Sequence, residues 1–238
     1  MNYYRIADLN VLMDCETEPT VSRCRPYETA PFEKADIVIK GKQSEALASE
    51  KANPNLTKEE WEYGVYGGYF YRDLIKFGGM MLHSSAVVVD GKAYLFSAHS
   101  GTGKSTHTSL WLRLFGDRAY IINDDKPAIR YCDGKFYVYG TPFSGKHDLS
   151  RNTKVALGGI CFLQRGEQNR IYKMDQNEVI FNMMEQTVRR LSMQDMDKML
   201  STMDVLLREV PVYRLECNME PEAAILSYET MSGEKYSG

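Results

Sequence analysis

The stretch that most restricts how this chain can fold is "FSAHSGTGKSTHTSLW", residues 96–111. The apolar run before it reads as a strand, and the residues after it suit a helix. Ala98 to Ser105 reads A-x-x-x-x-G-K-S, the P-loop pattern G-x-x-x-x-G-K-[ST] with its first glycine replaced by the smallest alternative. Gly101 and Gly103 permit backbone angles that turn successive N–H groups inward around an anion. The following helix adds its N-terminal partial charge, about half an elementary charge. Lys104 can reach the β and γ phosphates of a nucleotide, and Ser105 can ligate Mg²⁺. Ser100, Gly101, Thr102, Gly103, Lys104, Ser105 and Thr106 are therefore the candidate residues for binding ATP and Mg²⁺. A dinucleotide fingerprint is a poor fit, because the third glycine of G-x-G-x-x-G is missing.

Such a loop needs an acidic partner. Asp124 and Asp125 end the apolar run "AYIIN", and ligands of α/β sheets sit at the carboxyl ends of strands. Adjacent carboxylates repel unless a cation lies beside them. One could bind Mg²⁺ while the other accepts a hydroxyl proton. The bland alternative is a solvated turn, since "NDDKP" is rich in turn formers.

The rest of the pattern mixes strands and helices. "YYRIADLNVLM" and "ADIVIK" read as two strands. Thr57 and Glu60 form a capping box for a helix from Lys58, with Gly64, Gly67 and Gly68 as points where it stops or bends. That Tyr- and Gly-rich segment is either a packed helix with small contact points or an aromatic recognition surface. "AVVVDGKAYLFS" and "PAIRYCDGKFYVYG" are hairpins turning at Asp90-Gly91 and Asp133-Gly134. A helix is expected from Lys104 to Phe115, ended by Gly116. "VALGGICFL" is a further strand. Two helices follow, over residues 176–191 and 194–209, with Arg189-Arg190 on a solvated face. "VYRLEC" is a late strand, and Pro221 opens a closing helix. Met183, Met184, Met193, Met196, Met199 and Met203 either fill a core or form an adaptable groove for a peptide.

Composition narrows the class. A net charge of −3 over 238 residues gives no basic surface that argues for nucleic acid. The five cysteines include no C-x-x-C pair, so neither a zinc site nor a disulfide framework is indicated, and a reducing cytosol is expected. The N-terminus lacks a signal-peptide core, and the apolar run from Val155 to Leu163 is too short to span a bilayer. The expected setting is cytoplasmic, without a membrane partner; a homo-oligomer is compatible with the sequence.

The hairpin entering "SGTGKST" and the strand ending in Asp-Asp together resemble the C-terminal kinase domain of HPr serine kinase/phosphorylase. That domain is similar to the nucleotide core of ATP-dependent phosphoenolpyruvate carboxykinase. The resemblance runs from about Leu82 to Leu163. "IINDDKPAIR", "GTPFSGKHDLSRNT" and "GGICFL" look closest to a looser group of HPr-kinase-like proteins that often accompany peptide-modifying enzymes. The resemblance implies an α/β P-loop kinase core with a mixed sheet, spanning 81–238. An N-terminal β-rich portion with a helix, 1–80, would pack on it, and a helical segment would close the chain. It also implies an ATP- and Mg²⁺-dependent phosphotransferase acting on a hydroxyl, with serine of a peptide or protein as the expected acceptor. Gly101, Gly103, Lys104, Ser105 and Thr106 would hold nucleotide and metal. Asp125 would lean on the metal with Ser105, and Asp124 would take the proton, although the two roles are exchangeable. His83 matches a histidine near the transferred phosphate, where the bland reading is a structural imidazole. Lys146 and Arg151 in the acceptor-side loop would neutralise the transferring group, or belong to a loop that is basic by accident. Thr106 departs from the family, which has an acidic residue there, and residues 1–80 do not match its N-terminal domain, so HPr itself is a doubtful substrate. A small-molecule kinase and a nucleotide-binding regulator or assembly partner without transfer activity are the alternatives.

Overall fold

In the computed structural model, residues 1–41, 54–188 and 191–237 are described; Arg189 and Arg190 lie outside them. The chain opens with a hairpin, β1 (Asn2–Ile6) and β2 (Leu9–Met13), paired antiparallel from Asn2↔Met13 to Ile6↔Leu9. The sequence suggests one strand over residues 3–13, but Ala7 and Asp8 both sit at positive φ, 51° and 60°. Two such residues make the turn whose twist matches a tight hairpin. β3 (Ile37–Ile39) pairs parallel with β2 and completes a three-stranded sheet.

Helix α1 (Thr20–Cys24) precedes the long helix α2 (Lys58–Leu74). Thr57 Oγ1 accepts from the Glu60 amide at 3.2 Å while Glu60 Oε2 accepts from the Thr57 amide at 3.0 Å, a complete capping box. The helix runs unbroken through its glycines. A Cβ at Gly67 would lie 3.1 Å from the ring of Phe143, so this glycine gives up helix propensity for close approach.

The large mixed sheet is ordered β4 (Gly79–Met81), β8 (Ala128–Cys132), β9 (Lys135–Tyr139), β10 (Lys154–Arg165), β6 (Lys92–Ser97), β5 (Ser84–Val89), β7 (Ala119–Asn123). β10 is long because one of its edges serves two partners. Residues 154–156 pair antiparallel with β9, and residues 160–165 pair parallel with β12 (Val212–Cys217). β11 (Arg170–Lys173) extends that edge antiparallel to β12. Both hairpins turn where expected, with φ of 49° and 77° at Asp90-Gly91 and 52° and 75° at Asp133-Gly134.

Alternation along the strands sends side chains to two faces. Tyr94 and Phe96 pack with Trp111 and Phe115 of α3 (Lys104–Phe115) and Tyr228 of α6 (Pro221–Ser232). Ala93 and Leu95 face the other side, with Met183 of α4 (Gln176–Glu185) and Met203 and Leu206 of α5 (Met193–Glu209). Met183, Met199 and Met203 are buried, Met184 packs against the core and Met196 is half-buried, whereas Met193 is 88% exposed. Most of the methionine load thus fills core, at about 1.5–3 kcal/mol per fully buried side chain. A third cluster joins β1–β3 and α2 to Ala128 and Tyr139 of the large sheet and to Phe143 in the loop after β9. Among the described residues no helix is long and apolar enough to cross a membrane.

Candidate active site

β5 runs antiparallel to both β6 and β7, so β6 and β7 point the same way. Their carboxyl ends and the start of β5 lie at the same end of the sheet. The loop after β6, the Asp124-Asp125 turn after β7 and His83 before β5 are thereby brought together. With the 145–147 loop they line one cleft of about 450 Å³ that includes His83, Ser100, Gly101, Gly103, Lys104, Ser105, Thr106, Asp124, Asp125 and Lys146.

The loop from Ala98 to Gly103 joins β6 directly to α3, with Gly101 at φ 79° and Gly103 at φ 125°. Gly103 caps the helix without a side-chain hydrogen bond, so among the described residues no side chain caps its first turn. Lys104 Nζ donates to the Ala98 carbonyl at 2.9 Å, folding the ammonium across its own loop. Burial pulls its pKa down, and nearby Asp125 opposes that pull. Arg165, at the end of β10, braces the loop's far flank through the carbonyls of Gly101 and Thr102. Thr102 lies on that flank, outside the cleft.

Asn123 shapes the acidic turn. Its Oδ1 accepts from the amides of Asp125 at 3.0 Å and Lys126 at 2.7 Å, and its Nδ2 donates to the Thr141 carbonyl at 3.1 Å. Asp125 is held on both oxygens. His83 Nε2 lies 2.9 Å from Oδ1, and Lys126 Nζ is paired with Oδ2. Burial works against its charge, but the His83 hydrogen bond and the Lys126 ammonium outweigh it and hold the carboxyl well below the usual range. Asp124 instead faces the 145–147 loop, its Oδ1 accepting from the Gly145 amide.

That loop is anchored from the N-terminal part of the chain. Arg23 donates to the carbonyls of Ser144 at 3.3 Å and Gly145 at 3.1 Å and pairs with Asp148 at 3.2 Å. The Tyr63 hydroxyl also donates to the Ser144 carbonyl, at 2.6 Å. On the opposite side, α4 ends at Glu185, short of the expected residue 191. Gln186 is drawn inward instead: its carbonyl accepts from the His83 amide at 2.7 Å and its Oε1 lies 3.0 Å from His83 Nδ1.

Of the two basic candidates in the acceptor-side loop, Lys146 reaches the cleft and Arg151 does not. The Arg151 guanidinium lies over the Tyr120 ring at 4.4 Å, in a separate hollow beside β7. The resemblance placed it by proximity in sequence, but the turn through Asp148 to Ser150 carries it past the site. Arg23, Asn123, Lys126 and Gln186 escaped sequence reasoning. Asn123 and Lys126 had a signal, their place in a turn-rich pentapeptide; Arg23 and Gln186 act through contacts distant in the chain.

The fold is a mixed α/β sheet with helices on both faces, carrying a glycine-rich strand-to-helix loop opposite an aspartate pair. The chain belongs to the family described as SynChlorMet cassette protein ScmC, whose family model matches residues 67–222, more than half of its length. No curated protein matches it. One similar solved structure is the Hpr(Ser) kinase/phosphatase from Coxiella burnetii, at 11% identity, covering 64% of this chain and 93% of that one, with a TM-score of 0.32. Likeness at that level carries no argument about chemistry.

Proposed function

We propose that this protein is an ATP- and Mg²⁺-dependent kinase that transfers a phosphoryl group to a hydroxyl, with serine of a peptide or protein as acceptor. The observation that carries the reading is the convergence of Lys104, Ser105, Asp124, Asp125, His83 and Lys146 on one cleft. A nucleotide sensor needs the loop but has no use for a second carboxylate aimed at a neighbouring loop.

The residues fit a hard, oxygen-seeking cation. The Ser105 hydroxyl has no hydrogen-bond partner among the described residues, and the Asp125 carboxylate stays ionised on the facing wall. Mg²⁺ is usually held by one or two carboxylates together with substrate phosphates and water. Ser105 and Asp125 would hold it; when bound it supplies charge neutralisation on the phosphates. Lys104 and the uncapped amides of α3 would orient the donor phosphates. Asp124, against the Gly145 loop, would accept the acceptor's hydroxyl proton as its oxygen bonds to the γ-phosphorus and the bond from that phosphorus to the β,γ-bridging oxygen breaks, with ADP leaving; Lys146 would balance the spreading charge.

The test is the double variant Asp124→Asn with Asp125→Asn. Transfer from ATP to a hydroxyl-bearing peptide should vanish while nucleotide binding stays measurable. Unchanged transfer in that variant would remove the assignment.

A further inference from the structure

Cys15 lies just after β2 and Cys24 is the last residue of α1, yet their sulfurs are 3.9 Å apart and both thiols are free. A disulfide has an S–S distance of about 2.05 Å, so the sulfurs need to close by about 2 Å. The pair is asymmetric. Cys24 is fully buried in the cluster that joins β1–β3 to α2, whereas Cys15 is half-buried at its margin. Contact with the Cys24 thiol pulls the Cys15 pKa below the usual thiol value, against the opposing effects of burial and the Glu62 carboxylate. The same contact, with burial, pushes Cys24 up. Cys15 is thus the more accessible and the more nucleophilic sulfur, and Cys24 stands behind it as a second thiol. One residue before Cys24 is Arg23, which grips the Ser144 and Gly145 carbonyls and Asp148 beside the candidate active site.

We propose that Cys15 and Cys24 form a modification site: a hydroperoxide closes them into a reversible disulfide, and the closure loosens the 144–148 loop through Arg23. With hydrogen peroxide, the Cys15 thiolate attacks one oxygen and the O–O bond breaks, giving Cys15 sulfenic acid and hydroxide. The hydroxide takes up the proton that Cys15 lost on ionising. The Cys24 sulfur then attacks the sulfenic sulfur, the S–O bond breaks, and the Cys24 proton leaves with the hydroxyl as water. Two thiols are oxidised to one disulfide, and one peroxide is reduced to two waters. A dithiol reductant reverses the step by exchange. Thiols that stay free while in contact suit a transient, redox-sensing bridge and not a structural one. Close packing around Cys24 leaves its sulfur little room to swing alone, so the end of α1 takes up part of the movement. Arg23 lies on that end, and its two carbonyl bonds, already at 3.3 and 3.1 Å, have little length to spare.

The test treats the full chain with hydrogen peroxide and maps it with trypsin, which cuts after Arg23 and so parts the two cysteines. The wild type should yield a crosslink between the peptide carrying Cys15 and the one carrying Cys24, and dithiothreitol should remove it. Cys24→Ala should stop at the Cys15 sulfenic acid, which dimedone traps. The Gly145 and Asp148 amides are bonded to Asp124 Oδ1 and the Gly145 carbonyl, so hydrogen exchange reads the loop. In the oxidised wild type these amides should exchange at least about fivefold faster, the equivalent of losing one ordinary hydrogen bond. Peroxide should leave their exchange unchanged in Cys15→Ser, a change at the less buried of the two positions. Wild-type Cys15 oxidised without a bridge would overturn the proposal, as would a bridge to Cys132, Cys161, Cys217 or a second copy. So would equal exchange at the loop in the oxidised and reduced protein. None of these measurements uses ATP or an acceptor, so phosphoryl transfer is tested separately by the aspartate variants.

Discussion

His83 and Asp125 hold one another across the cleft. The imidazole Nε2 sits 2.9 Å from the carboxylate Oδ1, and its Nδ1 sits 3.0 Å from Gln186 Oε1. The pair joins the start of β5 to the end of β7, and the His83 bond helps keep Asp125 ionised. In His83→Ala the Asp125 carboxyl should protonate more readily, so the acid limb of the transfer rate should move to higher pH. A kcat/KM profile against pH reads this directly. An acid limb that stays in place would mean that His83 is a structural imidazole.

Arg23 ties the N-terminal part of the chain to the loop that faces Asp124. Its side chain is only 14% exposed, and it makes two carbonyl hydrogen bonds and an ion pair there. Hydrogen bonds to charged groups contribute about 1.5–3 kcal/mol. Arg23→Ala should therefore lower stability in urea by about 1–3 kcal/mol. It should also raise the KM for the acceptor while leaving ATP affinity nearly unchanged. A variant with normal acceptor KM would detach this anchor from the site's function.

The three glycines of α2 make opposite demands. A Cβ at Gly67 would press on Phe143, whereas at Gly64 and Gly68 it would meet nothing within 4 Å. Gly67→Ala should destabilise by about 1–3 kcal/mol through overpacking. Gly64→Ala and Gly68→Ala should each stabilise by up to about 1 kcal/mol through helix propensity. Thermal melts of the three single variants separate the effects by sign.

These glycines also mark where the sequence stops being legible. Local chemistry announced the capping box at Thr57, the Asp-Gly hairpins, helix α3 with Gly116 behind it, strand β12 and Pro221 at the start of α6. Each depends on neighbours a few positions away. The reason for Gly67 lies in the ring of Phe143, far along the chain, and α4 ends where Gln186 meets His83. The turn at Ala7-Asp8 carried no glycine or asparagine to betray its positive φ. The loop, the aspartates, His83 and Lys146 were all legible as candidates. That Arg151 stacks on Tyr120 instead of joining them follows from the path of one loop, which spacing does not encode.

His107 gives the fold an acid sensitivity. Burial pushes its pKa down from 6.5 to about 4. The unfolded chain therefore binds the proton more readily between those values, and stability must fall as pH drops through that window. The accumulated loss at pH 4 should be on the order of 3 kcal/mol. Unfolding midpoints measured from pH 7 to pH 4 should decline, and His107→Gln should flatten the part of the slope that lies near pH 5. An unchanged slope in that variant would assign the acid response to other groups.

The central claim is that this loop drives chemistry and does not merely anchor a nucleotide, and Lys104→Ala tests it most directly. The ammonium is placed to contact phosphate oxygens whose charge shifts during transfer, so its loss should remove transition-state stabilisation as well as binding. The measurement is turnover of a hydroxyl-bearing peptide at saturating ATP. The account predicts a fall of about 10²–10³, comparable to removing one oxyanion donor. Near-normal turnover once ATP saturates would contradict it, because Lys104 would then serve only uniform binding.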